Sequence, residues 1–200
     1  MDRGQAHTLE GIVAALLLLS SLLFALQVTT VTPLSASTSS QHIENQQRAV
    51  GAGILASAAD NGTLKPTVLY VNSTTGDFHG VDTGAYPSGG PPTAFGDLLE
   101  SSLSQQGIAY NIRLVYSQPD GRMGEIALVD QGVASDNAVT VSRPVVLTKN
   151  DTLYNEAESP TDVTLRETQR DDDVSFYTGG METDSSVFTV VTVEVTIWRI

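Results

Sequence analysis

Between Leu9 and Val31 the chain reads LEGIVAALLLLSSLLFALQVTTV, with one charge, Glu10, and no basic residue. These 23 residues reach roughly 35 Å as a helix at about 1.5 Å per residue. That is enough to cross a hydrocarbon core of about 30 Å. Arg3 precedes the run, and the next base is Arg48. Basic residues stay on the cytoplasmic side of a membrane helix, so the N-terminus is expected in the cytoplasm and the chain beyond about residue 35 outside. The organisation expected is a cytoplasmic head and signal region over 1–8, a transmembrane helix over 9–31, an extension over 32–62, and an extracellular head domain over 63–200.

A secretory signal that is removed fits this head poorly. Its apolar core spans about 7–15 residues, and the run here is longer, with an acid at its mouth. The nearest cleavage site, Pro33-Leu34-Ser35-Ala36, is a weak one. A plain anchor helix explains the apolar run but not the head. Glu10 could favour the helix N-terminus through the dipole, yet acids at membrane depth ordinarily have a partner.

Arg3-Gly4-Gln5, then Glu10, then a charge-free helix resembles the class III signal of archaeal type IV pilins and pilin-like proteins. The resemblance covers about the first 30 residues, and the head also resembles uncharacterised haloarchaeal membrane-anchored, pilin-like proteins. It implies that a prepilin peptidase cuts between Gly4 and Gln5, with Arg3, Gly4 and Gln5 as the processing residues. It also implies that the apolar helix stays on the mature chain and packs with pilin-like subunits in a homo- or hetero-oligomer. Glu10 would then be the assembly residue, pairing with a neighbour's free α-amine. A buried carboxylate and ammonium satisfy each other and fix register. Counted from Gln5, Glu10 is sixth, one place beyond the family's usual acid.

The net charge of −13 excludes a nucleic-acid partner, because phosphate binding needs a basic surface. It equally argues against docking on anionic lipid through a basic patch; the lipid contact expected is the apolar helix itself. Asp outnumbers Glu, and only Lys65 and Lys149 are lysines. This balance resembles proteins of salt-loving archaea, where salt screens self-repulsion. There are no cysteines, so no disulfide, thiolate metal site or cysteine nucleophile exists.

The fold class expected is α+β, a long N-terminal helix packed on an antiparallel sheet. Pro33 removes a backbone donor and disfavours helix at Thr32, so a kink or break is expected there. Ser39 or Ser40 would cap a second helix from Gln41 to about Ala59, stopped by Asn61-Gly62. Ile43, Val50, Ile54 and Ala58 share its apolar face, and the small residues AVGAG at 49–53 permit close packing. Pro66–Asn72 reads as a short strand. Thr93 caps a helix carrying Phe95, Leu98, Leu99 and Leu103 and stopping at Gly107. Ile108, Tyr110, Ile112, Leu114 and Tyr116 alternate as a half-buried strand. The turn at Gln118–Gly121 then leads into Met123–Asp130 as a hairpin. Val139–Leu147 is a strand that Pro144 splits or pushes to an edge. Two short strands are expected near Val163–Arg166 and Val174–Tyr177. The segment VFTVVTVEVTIWRI, 187–200, is long and apolar on one face. It is expected at the sheet centre, because an exposed apolar edge aggregates.

No catalytic set is visible, so no enzyme is expected, and no cofactor or metal. His7, His42 and His79 have no metal-ligand spacing, and a lone loop histidine such as His79 reads as solvated. Asp171-Asp172-Asp173 is the densest acidic cluster. Consecutive acids do not point one way, and calcium prefers alternating oxygen ligands with a turn glycine, so this cluster reads as a solvated loop. Asp77 and Asp82 make a weaker cation candidate. Three N-x-S/T sequons, at Asn61, Asn72 and Asn150, mark glycosylation candidates in polar loops.

Overall fold

The computed structural model describes the backbone of residues 3–81, 84–181 and 184–200, and the side chains within these ranges apart from 3–6 and 27–40. Helix α1 runs Arg3–Asp60 as one element. Pro33 therefore does not end the helix, since a proline deletes one donor and leaves the flanking bonds in place. The second helix expected from Gln41 is the continuation of the first, and no separate N-terminus exists for Ser39 or Ser40 to cap. The chain forms two compact units, Met1–Ile43 and Glu44–Ile200.

In the first unit, the stretch His7–Leu26 has a mean hydropathy of 2.3 and no buried residue. Its leucines leave about half or more of their surface uncovered on every side of the helix. By length and composition this stretch suffices to cross a membrane.

The second unit is an antiparallel four-stranded sheet in the order β2-β1-β6-β3, with helices against one face. Strand β1 is Ile108–Ser117, β2 Met123–Asp130, β3 Val139–Thr148 and β6 Val187–Arg199. The last strand in sequence is thus central, paired to β1 on one side and β3 on the other. Its composition suits that place: Thr189, Val191, Val193, Val195 and Ile197 are all buried along one face, and so long an apolar strand left at an edge would aggregate. Pro144 lies in β3 at the sheet edge, where a missing ladder donor is tolerated. The β1–β2 pairing slips between Ile112 and Arg113, whose partners are Val129 and Ala127. Leu128 is the extra residue, and the bulge lets the consecutive Leu128 and Val129 both be buried.

Helix α1 joins the core at its C-terminal turns. Gln47, Gly51, Ile54, Leu55 and Ala58 are buried, a spacing of three and four residues. The expected face is corrected by a rotation: Ile54 and Ala58 are inside, but Ile43 and Val50 are exposed. Gly51 takes the inner place because space is lacking. A Cβ there would lie 2.9 Å from Val141 Cγ2 and 3.2 Å from Ile197 Cδ1. Backbone-to-sheet approach this close requires the missing side chain.

Helix α3, Ala94–Ser102, begins where Thr93 Oγ1 accepts a hydrogen bond from Gly96 N. Phe95, Leu99 and Leu103 are fully buried, and Gly107 closes the segment in the left-handed region at φ 69°, where glycine is favoured. Residues 66–72 depart from expectation. Helix α2, Leu64–Val68, replaces the strand, and only Val71 makes a bridge, to Phe78. A continuous buried apolar run suits either element, and Pro66 in the first helical turn gives up a donor that has no helical partner anyway. A second, two-stranded sheet pairs β4, Thr152–Tyr154, with β5, Pro160–Thr164. It sits earlier than the strand expected at Val163–Arg166. No strand forms over Val174–Tyr177. There Phe176 and Tyr177 stack with each other and against Phe188, Phe78 and Tyr116, so their apolar character serves ring packing rather than a ladder.

Candidate functional site

The first candidate region is the head of α1. Arg3, Gly4 and Gln5 begin this helix, and their side chains lie outside the described residues. Glu10 is exposed, with its Oε2 3.7 Å from His7 Nδ1 one turn earlier. The pair carries opposite charges only when His7 is protonated. Downstream of Glu10 the helix surface to Leu26 offers van der Waals contact and two hydroxyls. Both are turned inward to the backbone: Ser20 Oγ donates to Leu16 O and Ser21 Oγ to Leu18 O. Such a surface can bind lipid chains or another apolar helix, and it can do no acid–base chemistry beyond His7 and Glu10.

The second region is the sheet face turned away from the helices. Register places Ala127, Arg113, Glu194 and Ser142 in one row across β2, β1, β6 and β3. The adjacent row holds Glu125, Val115, Thr192 and Pro144. Arg113 Nη1 lies 3.9 Å from Glu125 Oε2. In the row on the other side of Arg113, the Thr140 and Thr196 hydroxyls are 2.8 Å apart. Arg113, Glu125, Glu194, Thr140 and Thr196, with Asn111 and the loop from Gly132 to Ala134, line an open basin of about 690 Å³. Its chemistry is hydrogen bonding and charge, with one guanidinium between carboxylates. The lining includes no histidine, serine or lysine. Alternation along each strand marks these residues only as its polar side. Only the register brings Glu125, Arg113 and Glu194 together.

The third region surrounds His79, which proves to be largely enclosed rather than solvated, with 11% of its side chain exposed. Its Nε2 is 3.0 Å from Tyr154 O, and its ring meets Tyr70 edge-on at 4.9 Å. Tyr86 Oη donates to His79 O. Burial raises the Tyr70 and Tyr86 hydroxyls above the ordinary phenol range, so both stay protonated donors at any physiological pH. Tyr110, deep in the core, is pushed up to about 12 by burial.

The glycosylation candidates all lie at turns. Asn61 is exposed just past α1, and its Nδ2 donates to Ser57 Oγ at 3.2 Å. Asn72 is half-buried and its Oδ1 accepts from Thr74 N at 2.9 Å. Asn150 is exposed, with Oδ1 accepting from Arg166 Nη2 at 3.2 Å. Asp171, Asp172 and Asp173 are exposed on a turn that Asp171 Oδ1 stabilises by accepting from Asp173 N. Asp77 is exposed, and Asp82 lies outside the described residues. Among the described residues no three histidine, aspartate or glutamate side chains converge as metal ligands would.

A family model described as a family of unknown function (DUF7288) matches residues 3–197. No curated protein and no solved structure matches the chain.

Proposed function

The chain belongs to this DUF7288 family, and we propose that it is a pilin-like structural subunit of an archaeal cell surface, anchored and assembled through its N-terminal helix. In this reading the N-terminus is cytoplasmic and the sheet domain extracellular. A prepilin peptidase removes residues 1–4, and the helix from Gln5 to about Thr32 packs with other pilin-like subunits or remains in lipid. The single observation that carries the reading is α1 itself. One uninterrupted helix, Arg3–Asp60, is bare and apolar over His7–Leu26 and built into the head over its last turns. An apolar surface that finds no cover in its own chain needs lipid or a neighbour. The exposed Glu10 needs a cation once that surface is covered, and a neighbour's α-amine would supply it. The role is structural and involves no catalysis.

A second reading, an anchored ectodomain that binds a ligand without assembling, draws on the open basin at Arg113, Glu125 and Glu194. The mass of the mature N-terminal peptide separates the two. A chain beginning at Gln5 supports the pilin-like reading; one beginning at Met1 or Asp2 overturns it and leaves the anchor. Glu10→Ala is expected to leave cleavage and membrane insertion intact while reducing recovery of assembled subunits. If assembly is unchanged, Glu10 is a helix-end charge only.

A further inference from the structure

The contacts of His79 are arranged as though the ring carried a second proton. A carbonyl can only accept, so Nε2, at 3.0 Å from Tyr154 O, must be the N–H of the neutral ring. Nδ1 is then a bare lone pair. It is buried with no hydrogen-bond partner, and it faces the Glu156 carboxylate with Oε1 3.8 Å away. Two acceptors facing each other repel, and a buried unpaired nitrogen carries a desolvation cost. A proton on Nδ1 converts the same contact into an N–H directed at a carboxylate, which is attractive.

The two sides of this contact belong to different segments. His79 lies in the loop after the Val71–Phe78 bridge, while Tyr154 and Glu156 belong to β4 and the turn after it. That turn is also tied to the loop's side by Tyr70, whose hydroxyl donates to Glu156 O at 3.2 Å. It is tied to α3 by Glu158, whose Oε1 accepts from Ala94 N at 2.9 Å. The β4 backbone itself docks through Tyr154 N donating to Leu69 O at 2.9 Å. Among the described residues the titratable groups in contact with His79 are Glu156, Tyr70 and Tyr86, and the Glu158 carboxylate acts on Tyr70. Both tyrosines stay neutral, so the ring's own proton is the switch.

We propose that His79 is a proton-operated latch that holds the β4–β5 hairpin against the rest of the head. The direction follows from the partners. The attractive contact exists only with the ring charged, so the latch closes as pH falls and opens as pH rises. Glu156 is mostly solvated, so screening keeps the effect small.

The test is hydrogen exchange on the full chain in detergent micelles, corrected for intrinsic rates, with the Tyr154 amide as reporter of docking. Between about pH 8 and about pH 5, the span over which histidines change charge, its protection is expected to rise about two- to fivefold. Glu156→Gln keeps the shape, removes the carboxylate charge and should flatten the response, as should His79→Asn. Protection that is flat or falls on acidification in the unsubstituted chain overturns the latch. So does a rise that persists in Glu156→Gln. Neither result depends on whether the protein assembles.

Discussion

Over His7–Leu26, helix α1 carries leucine, isoleucine and phenylalanine on every side. Over its last turns the residues it buries are Gln47, Gly51, Ile54, Leu55 and Ala58. The backbone is helical in both, so the difference lies in what each must touch. An apolar helix with no internal partner must be wide and greasy all round, since its solvent is isotropic. A helix pressed on a sheet must be narrow where the two meet, and large residues belong to the flanks of the contact. Secondary structure is therefore the least informative thing about α1, and side-chain size around its axis the most.

This contrast can be broken at chosen positions. The largest effect is expected from Leu55→Ala, which leaves a cavity in the head core and should cost about 2–5 kcal/mol of unfolding stability. Denaturant melts of the detergent-solubilised chain would measure it, and membrane association should not change. Leu17→Arg should do the reverse. An arginine near the middle of a spanning helix costs about 2.5–3.5 kcal/mol of insertion, read as loss from the membrane fraction with an unaltered head melt. Gly51→Val forces a side chain into the contact with Val141 and Ile197, and overpacking of this kind costs about 1–3 kcal/mol. The smallest effect is expected at Val50, one residue away but exposed. Val50→Ser should stay within about 0.5 kcal/mol in the same melt. If Gly51→Val and Val50→Ser behave alike, the narrow-face account of these turns fails.

What the chain revealed before its fold was known follows the same division. The apolar run was legible by length alone. Strand β1 was legible because unbroken alternation specifies which side is buried, and the central place of β6 because so long an apolar strand aggregates when left at an edge. The Thr93 cap and the Gly107 stop were legible because each answers a local backbone need. The inner face of the last turns of α1 was not, because Gly51 and Gln47 do not advertise burial, and only the crowding at Val141 selects them. Val68–Val71 misled because a short, wholly apolar segment has no period to read. The β4–β5 pair was hidden by its brevity and by a polar setting. Arg113, Glu125 and Glu194 were invisible as a set because register is a property of two strands, never of one. His79 looked solvated because its surroundings are assembled by the fold: Tyr70 and Tyr86 flank it at a distance in sequence, and Tyr154 and Glu156 come from far along the chain.

The place of β6 sets an order of events. Strand β1 with β2 can form a hairpin on its own, but β1 and β3 share no edge until β6 lies between them. The long-range strand-to-strand pairings of the main sheet thus await the segment that follows the other described strands in the chain. Until then β1 and β3 carry unpaired backbone and apolar faces, the condition in which chains stick to one another. Contacts so distant in sequence also form slowly. Val187–Arg199 is the strand that joins β1 to β3, so a chain cut short before it is expected to keep a hairpin and a loose strand rather than a smaller version of the domain.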